Sequence, residues 1–443
     1  MWDNQEGQTY ALQKLNLNEP AGDYVLYISI PFCRVQCKSC PYFINGLTKE
    51  DKQNYEGRYL EALLKDIEKW SSYPRWKNGK LRAIYIGGGT GTILKTKNLE
   101  KLINKIMQCF PVAEDYSLTL EGNARDYDEE KLDYVANSPI NRVSLGVQSF
   151  NPDVLKIVGS PHAAESSIYV INELGKRNFH NVQLDLMYNL PGHTLEIWEQ
   201  DLQKLKSLNI KHFTIYLYRI HEGTVQEMHL RKGKVPNMHD RESTTVKEMH
   251  ADAVKIAEDM GFNMYMFDHF AEPGFEAPYN HWTFKEAKDA LGIGAGAYSF
   301  INGYRTGTKK DVDGYIETVN RGEHMINSIS KKMCDRIRKE RYVIFAFQYF
   351  NIDFSIYYKQ FGSNFMDDFG DIAYRLEKKG LITIHADQIK MTNLGREWHM
   401  NIFLEFFNEE IWNEFDALKQ ENWAMNIPMV QLATKGKEYW LGN

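Results

Sequence analysis

The chain has 443 residues, room for two to three domains or for one large α/β barrel with an appendage. Its hydrophobic share of 43% and aromatic share of 13% exclude a disordered chain. With 53 basic and 59 acidic residues the net charge is −6, which excludes a global basic footprint for nucleic acid.

The opening Met1-Trp2-Asp3-Asn4-Gln5-Glu6 has neither a basic region nor an apolar one, and no run of about 18 apolar residues follows. The expectation is a soluble, cytoplasmic protein with no nucleic-acid or membrane partner. Residues 1–21 read as an N-terminal arm. Apolar, β-branched runs then fall at 24–30, 82–86, 116–121, 142–147, 182–186 and 212–218. Amphipathic stretches at 54–70, 99–109, 129–136, 163–176 and 196–208 separate them. Strand and helix in alternation predict βαβ units and a parallel sheet, here a partial (β/α)6 barrel spanning 22–325 with an extension. From 326 to 443 the pattern changes. Charged helical segments surround a short hairpin between Gly380 and Met391, which predicts a smaller, mainly helical, winged-helix-like C-terminal domain.

There are five cysteines, Cys33, Cys37, Cys40, Cys109 and Cys334, an odd count that argues against a disulfide framework. Three of them form the loop Cys33-Arg34-Val35-Gln36-Cys37-Lys38-Ser39-Cys40, directly after the first strand and Pro31-Phe32. Three thiolates on one loop can hold one metal centre. A structural zinc site wants a fourth ligand, and the first histidine is His162. A [4Fe-4S] cubane held by three cysteines leaves one iron open to a small molecule.

The second strand runs into Gly87-Gly88-Gly89-Thr90, where glycines let backbone approach a ligand. Glu121, Gln148 and Asp185 end the third, fourth and fifth strands. Polar groups there either meet a ligand or cap the strands and helices, since leaving them unbonded is costly. Tyr27, six residues before Cys33, is either near that ligand or a buried aromatic of the barrel floor.

The words Tyr27-Ile28-Ser29-Ile30-Pro31-Phe32-Cys33, Gly87-Gly88-Gly89-Thr90, Ser144-Leu145-Gly146-Val147-Gln148-Ser149-Phe150, Asp185-Leu186-Met187-Tyr188-Asn189-Leu190-Pro191-Gly192 and Gly292-Ile293-Gly294-Ala295-Gly296-Ala297 occur in that order. Together they resemble the radical S-adenosylmethionine (SAM) superfamily. Within it, residues 22 to 320 resemble the oxygen-independent coproporphyrinogen III oxidase-like (HemN-like) family. The resemblance implies a [4Fe-4S] cluster on Cys33, Cys37 and Cys40. It implies SAM contacts at Tyr27, Gly88, Gly89, Thr90, Glu121, Gln148 and Asp185, and a one-electron donor such as flavodoxin or ferredoxin. A second SAM is expected beside Gly294, Ala295 and Ala297, whose small size leaves room for an adenosyl group.

Departures from the family pattern mark a divergent member. In Gly159-Ser160-Pro161-His162, Ser160 stands where many members carry the arginine that binds a SAM carboxylate; Arg219 is a candidate substitute. Ser39 replaces an aromatic, and Gly91 a proline. Tyr279-Asn280 replaces the His-Asn word of haem-chaperone-like members, leaving His269 and His281 as candidates to contact a flat substrate or a haem iron. Gln148-Ser149 and Pro41 also differ from the decarboxylases. The reading favoured is radical C-methylation of a flat aromatic or tetrapyrrole substrate, with haem ring opening as a variant. The alternatives are oxidative decarboxylation of coproporphyrinogen III and a haem-binding chaperone with a vestigial radical site.

Overall fold

Six apolar runs become six parallel strands: β1 (Asp23–Ile30), β2 (Lys80–Gly88), β3 (Val112–Gly122), β4 (Arg142–Gln148), β5 (Val182–Tyr188) and β6 (His212–Leu217). They pair consecutively, with Tyr27 opposite Tyr85, Glu121 opposite Ser144 and Asp185 opposite Thr214. The structure is a computed structural model and describes residues 5–42, 44–47, 54–160, 163–236 and 243–407. The helices Tyr55–Ser71, Thr96–Cys109, Glu129–Asn137, Ala164–Lys176 and Leu195–Lys206 follow the strands and cover their outer face, so that face must be apolar. Val25, Leu26, Ile28, Ile84, Ile86, Leu118, Val143, Leu145 and Ile215 accordingly lie buried in the sheet.

The sheet does not stop at β1. A seventh parallel strand, Asp289–Ile293, pairs with β1 on its other side, and Arg75 anchors its first residue through the Asp289 carboxylate. Tyr298–Ile301, Tyr304–Gly307 and Ser328–Ile329 continue antiparallel from there. His269–Ala271 and Asn263–Met266 extend the β6 edge in the same sense. The barrel is therefore open. The seventh strand escaped the sequence pattern because Gly292 and Gly294 break its apolar run.

Ala11, Leu15 and Leu17 bury their side chains in the main core cluster, so the N-terminal segment packs on the barrel. Beyond residue 330, the helices Asp335–Ala346, Phe354–Phe361 and Phe365–Lys378 surround a small antiparallel sheet of Asn351–Asp353, Gln388–Met391 and Ile382–Ile384. These elements enclose a second core cluster, from Tyr342 to Phe406. No described helix is long and apolar enough to cross a membrane.

Candidate active site

The cysteine loop leaves the C-terminal end of β1, where parallel barrels keep their chemistry. Backbone bonds pin it. Phe32–Cys33 pairs with Asn45–Gly46, and the Lys38 amide donates to the Val158 carbonyl at 3.2 Å. The Lys38 carbonyl in turn accepts from the Gln226 amide at 2.9 Å. The Sγ of Cys33 lies 3.2 Å from Oγ1 of Thr90, at the end of the glycine loop. Gly88, at φ 111, turns β2 onto the strand beside it; the Gly89 amide then donates to the Ile30 carbonyl at 2.8 Å.

The three thiols share the wall of one cavity, of about 150 Å³, with Gly89, Thr90, Glu121, Asn123, Arg125 and Gln148. Burial pushes the Cys33 and Cys37 thiols up to about 11 and raises Cys40. A neighbouring cation or metal is what would turn such thiols into thiolates. Glu121 is raised to about 7, first by burial and then by the charge of Asp185, against hydrogen bonds from Tyr85 and the Gly88 amide. Gln148 holds φ 63, a left-handed conformation uncommon in a non-glycine residue, and its amide folds back over Gly146.

Asp185 does not line that cavity. It lies deeper, where Ser144 Oγ donates to it at 2.8 Å and Gln183 Nε2 at 2.6 Å. Gln183 Oε1 accepts from the fully buried Arg142 at 2.6 Å, and Arg142 also donates to the Phe275 carbonyl at 2.9 Å. Asp185 is raised by burial, and these partners oppose the rise.

Above this polar floor the barrel is hollow. Tyr27, Tyr85, Glu121, Gly146 and Asp185 stay partly accessible while their strand neighbours are buried, and Tyr216 is 43% exposed. A filled barrel would bury these positions too. Tyr27 stacks on Tyr85 with ring centroids 5.9 Å apart, and Tyr279 sits 5.4 Å from Tyr85. Tyr27 thus lies in the wall of the interior, and Tyr279 stands in the same aromatic group. His269 faces Tyr216 edge-on at 6.2 Å. Its Nδ1 donates to the Phe267 carbonyl at 2.8 Å, and its Nε2 accepts from the Asn280 side-chain amide at 3.5 Å. Burial pulls His269 down to about 4, so the ring is neutral.

Other expected residues fall elsewhere. His281 stands against Trp282 and Tyr349 with Glu286 3.9 Å away, and does not join His269. Arg219 lies beyond β6 beside Tyr188 and Asp268 and is absent from the cysteine cavity; the cations on its wall are Arg34 and Arg125. The room expected at Gly294, Ala295 and Ala297 is taken by the chain itself. A Cβ at Gly294 would meet Tyr59 Oη at 2.6 Å and the Ser29 carbonyl at 2.7 Å, and both alanines are buried. Their small size serves close packing on β1, not a vacant pocket. Pro161 and His162 lie outside the described residues.

Sequence reading missed Asn123, Arg125 and Asp126, which follow β3, and the Arg142–Gln183 pair. The signal for the first group was present: polar residues continue past the strand-end Glu121. Arg142 gave none, because a charge at a strand start reads as solvated.

Among the described residues, no three His, Cys, Asp or Glu side chains gather closely enough to hold a single metal ion. Three thiols spread over one cavity wall suit a cubane, whose cysteines bind separate corners. A family profile described as the radical SAM superfamily matches residues 27–205, which includes the cysteine loop, the glycine loop, the strand-end Glu121 and Gln148, and Asp185, which the structure places in the middle of β5 and not at its end. The chain carries a radical SAM domain. The heme chaperone HemW of Lactococcus lactis subsp. lactis (strain IL1403) is 29% identical over 87% of this chain and 97% of its own length. The anaerobilin synthase of Escherichia coli O157:H7 is 24% identical over 87% of this chain and 84% of its own. The solved structure of coproporphyrinogen III oxidase (HemN) from Escherichia coli superposes with a TM-score of 0.75 at 23% identity, covering 90% of this chain and 93% of that one. Along most of its length the chain is similar to these HemN-like radical SAM proteins.

Proposed function

We propose that this chain is a radical SAM enzyme that methylates a ring carbon of a flat conjugated substrate of the tetrapyrrole class. The observation that supports it best is the hollow, tyrosine-lined barrel beneath the three-cysteine cavity. A [4Fe-4S] centre with SAM supplies, when bound, a 5′-deoxyadenosyl radical.

The protein's own part is to bind, orient and shield. Cys33, Cys37 and Cys40 are the ligands. Gly88, Gly89 and Thr90 bring backbone and a hydroxyl to the cavity edge. Glu121 offers a carboxylate to the SAM ammonium, and Gln148 offers an amide to the ribose. Asp185, held by Ser144 and Gln183, braces the floor and keeps Glu121 high. Tyr27, Tyr85 and Tyr279 present ring faces and edges, which stack on a conjugated plane better than they pair with carboxylates. His269 stands against Tyr216 at the interior wall, with its Nε2 steadied by Asn280. An sp2 carbon offers no easily abstracted hydrogen, so the reaction calls for two SAM molecules, one cleaved and one donating its methyl carbon.

A second reading, haem carriage without radical chemistry, is favoured by the likeness to heme chaperone HemW. Anaerobic incubation of the reduced, iron-loaded protein with SAM and a tetrapyrrole separates the two. An enzyme forms 5′-deoxyadenosine only when the substrate is added; stoichiometric haem binding without 5′-deoxyadenosine would favour the carrier.

A further inference from the structure

A second polar pocket lies at the opposite end of the barrel from the cysteines. Asp289 opens the seventh strand beside Tyr24 at the start of β1, whereas the cysteine loop leaves the end of β1. A pocket of about 200 Å³ opens there, between the sheet extension and the helix Asp335–Ala346. Four cations line it, Arg75, Lys332, Arg338 and Arg341, against one carboxylate, Asp289.

That carboxylate is already taken. One oxygen accepts from Arg75 Nε at 2.8 Å, and the other from the Asn302 amide at 3.1 Å. Arg338 pairs at 3.3 Å with Asp335, which lies outside the pocket lining and is 84% exposed, so water screens the pair. Arg341 has less still. Its guanidinium carbon lies over Phe300, 4.1 Å from the ring centroid, and over Phe345 at 4.6 Å. Ring faces attract a cation but accept none of its in-plane N–H donors. Among the described residues, no oxygen receives those donors. The interior arginines Arg75 and Arg142, by contrast, both donate to oxygen acceptors. Burial pulls the Arg341 guanidinium down to about 10, the direction expected of a cation that nothing compensates. Arg338 and Arg341 stand one helical turn apart and so share a face. In a chain whose net charge is −6, cations gathered round one occupied carboxylate call for an anion.

We propose that this pocket binds a small oxyanion, a phosphate or carboxylate group, held by Arg338 and Arg341 with Lys332 at its mouth. The planar fork of an arginine matches the paired oxygens of either group. Phe300 and Phe361 keep part of the wall apolar, which suits a short carbon body attached to the oxyanion. Asp289 and Phe300 belong to the barrel sheet, and the two arginines to the helix that opens the second core. A bound anion therefore ties the two together and stabilises the folded chain by mass action.

The test titrates the full-length, iron-loaded protein anaerobically with inorganic phosphate and, in a second arm, with succinate, at an ionic strength held constant with chloride. Isothermal titration reads the binding, and the melting temperature reads its effect on folding. At least one of the two anions should bind saturably, at about one site per chain, and raise Tm. The tighter of the two tells a phosphate ligand from a carboxylate. Arg341→Met keeps an apolar stem between the two rings and removes the charge. It should weaken binding by at least about tenfold, and without the anion it should melt no lower than the wild type, because an unpaired buried charge has gone. Lys332→Gln/Arg338→Gln, on partly exposed residues, should show the same loss and decides the matter if Arg341→Met does not fold. Absence of saturable binding in both arms would overturn the proposal. So would binding that these substitutions leave unchanged. An Arg341→Met protein that melts lower than the wild type in anion-free buffer, while neither anion shifts the wild type, would make Arg341 a pin between two rings and overturn it too.

Discussion

Glu121 and Asp185 stand on β3 and β5, joined through Ser144 of the strand between them. Ser144 pairs in register with Glu121 and donates to Asp185 at 2.8 Å. After burial, the charge of Asp185 is what holds Glu121 up to about 7. Two carboxyls so coupled make the site sensitive to pH and receptive to a cation.

The sign follows from linkage. The ordinary value of Glu121 is 4.5, and the folded value is higher, so the folded protein binds the proton more tightly than the unfolded chain. Stability of the metal-free protein should fall as pH rises from about 4.5 through 7. At pH above that window, Glu121→Gln should gain ~1–3 kcal/mol in chemical denaturation, a gain that fades as pH is lowered to the ordinary carboxylate range. SAM binding should show the opposite trend. A bound ammonium favours the ionised carboxyl, so affinity should rise with pH through about 7 in the wild type and stay flat in Glu121→Gln. A flat wild-type profile in isothermal titration would remove Glu121 from the SAM site.

Iron content tests the ligands one by one. Anaerobic reconstitution should load about four irons per chain. Cys33→Ala, Cys37→Ala and Cys40→Ala should each lose most of that iron and its visible absorption. Cys109→Ala and Cys334→Ala should retain both. Stoichiometric zinc in place of iron would contradict the cubane.

Arg142 is expected to matter through stability. It is fully buried and ties Gln183, Asn181 and the Phe275 carbonyl together. Arg142→Met leaves Gln183 and Asp185 short of a partner in a buried site, and should cost about 3–5 kcal/mol. Denaturant titration of the metal-free protein measures it. A cost below ~1 kcal/mol would show that water replaces the guanidinium.

His269 and His281 should part company in substrate binding. His269→Ala removes the neutral ring that stands against Tyr216 at the interior wall, and should weaken haem or porphyrin binding in absorption titrations by about tenfold or more. His281→Ala should leave it within about twofold, because that ring lies by Tyr349 and Glu286. Equal losses would mean that the interior is not the substrate chamber.

The sequence made the fold legible because six short β-branched runs alternate with amphipathic helices whose apolar faces cover them. The cysteine loop, the glycine loop, Glu121 and Gln148 were legible because each sits at a strand end, where the pattern changes abruptly. What stayed hidden depends on partners distant in sequence. Asp289–Ile293 becomes a strand only by pairing with β1. Arg142 is tolerated inside only because Gln183 and the Phe275 carbonyl receive it. The Gly294–Ala297 loop suggested space, yet small residues also permit contact. In the folded chain Tyr59 and Ser29 use that space. Arg219 and His281 were chosen by residue type, which says nothing about the direction a side chain takes.

The most direct test of the account is isotopic. Reduced, iron-loaded protein is incubated anaerobically with a tetrapyrrole and SAM carrying a labelled methyl group, and the products are separated by mass. The account predicts both 5′-deoxyadenosine and S-adenosylhomocysteine, with the label in the tetrapyrrole product. Substrate turnover with 5′-deoxyadenosine but without S-adenosylhomocysteine, and with carbon dioxide released and no label gained, would contradict methylation and indicate decarboxylation instead.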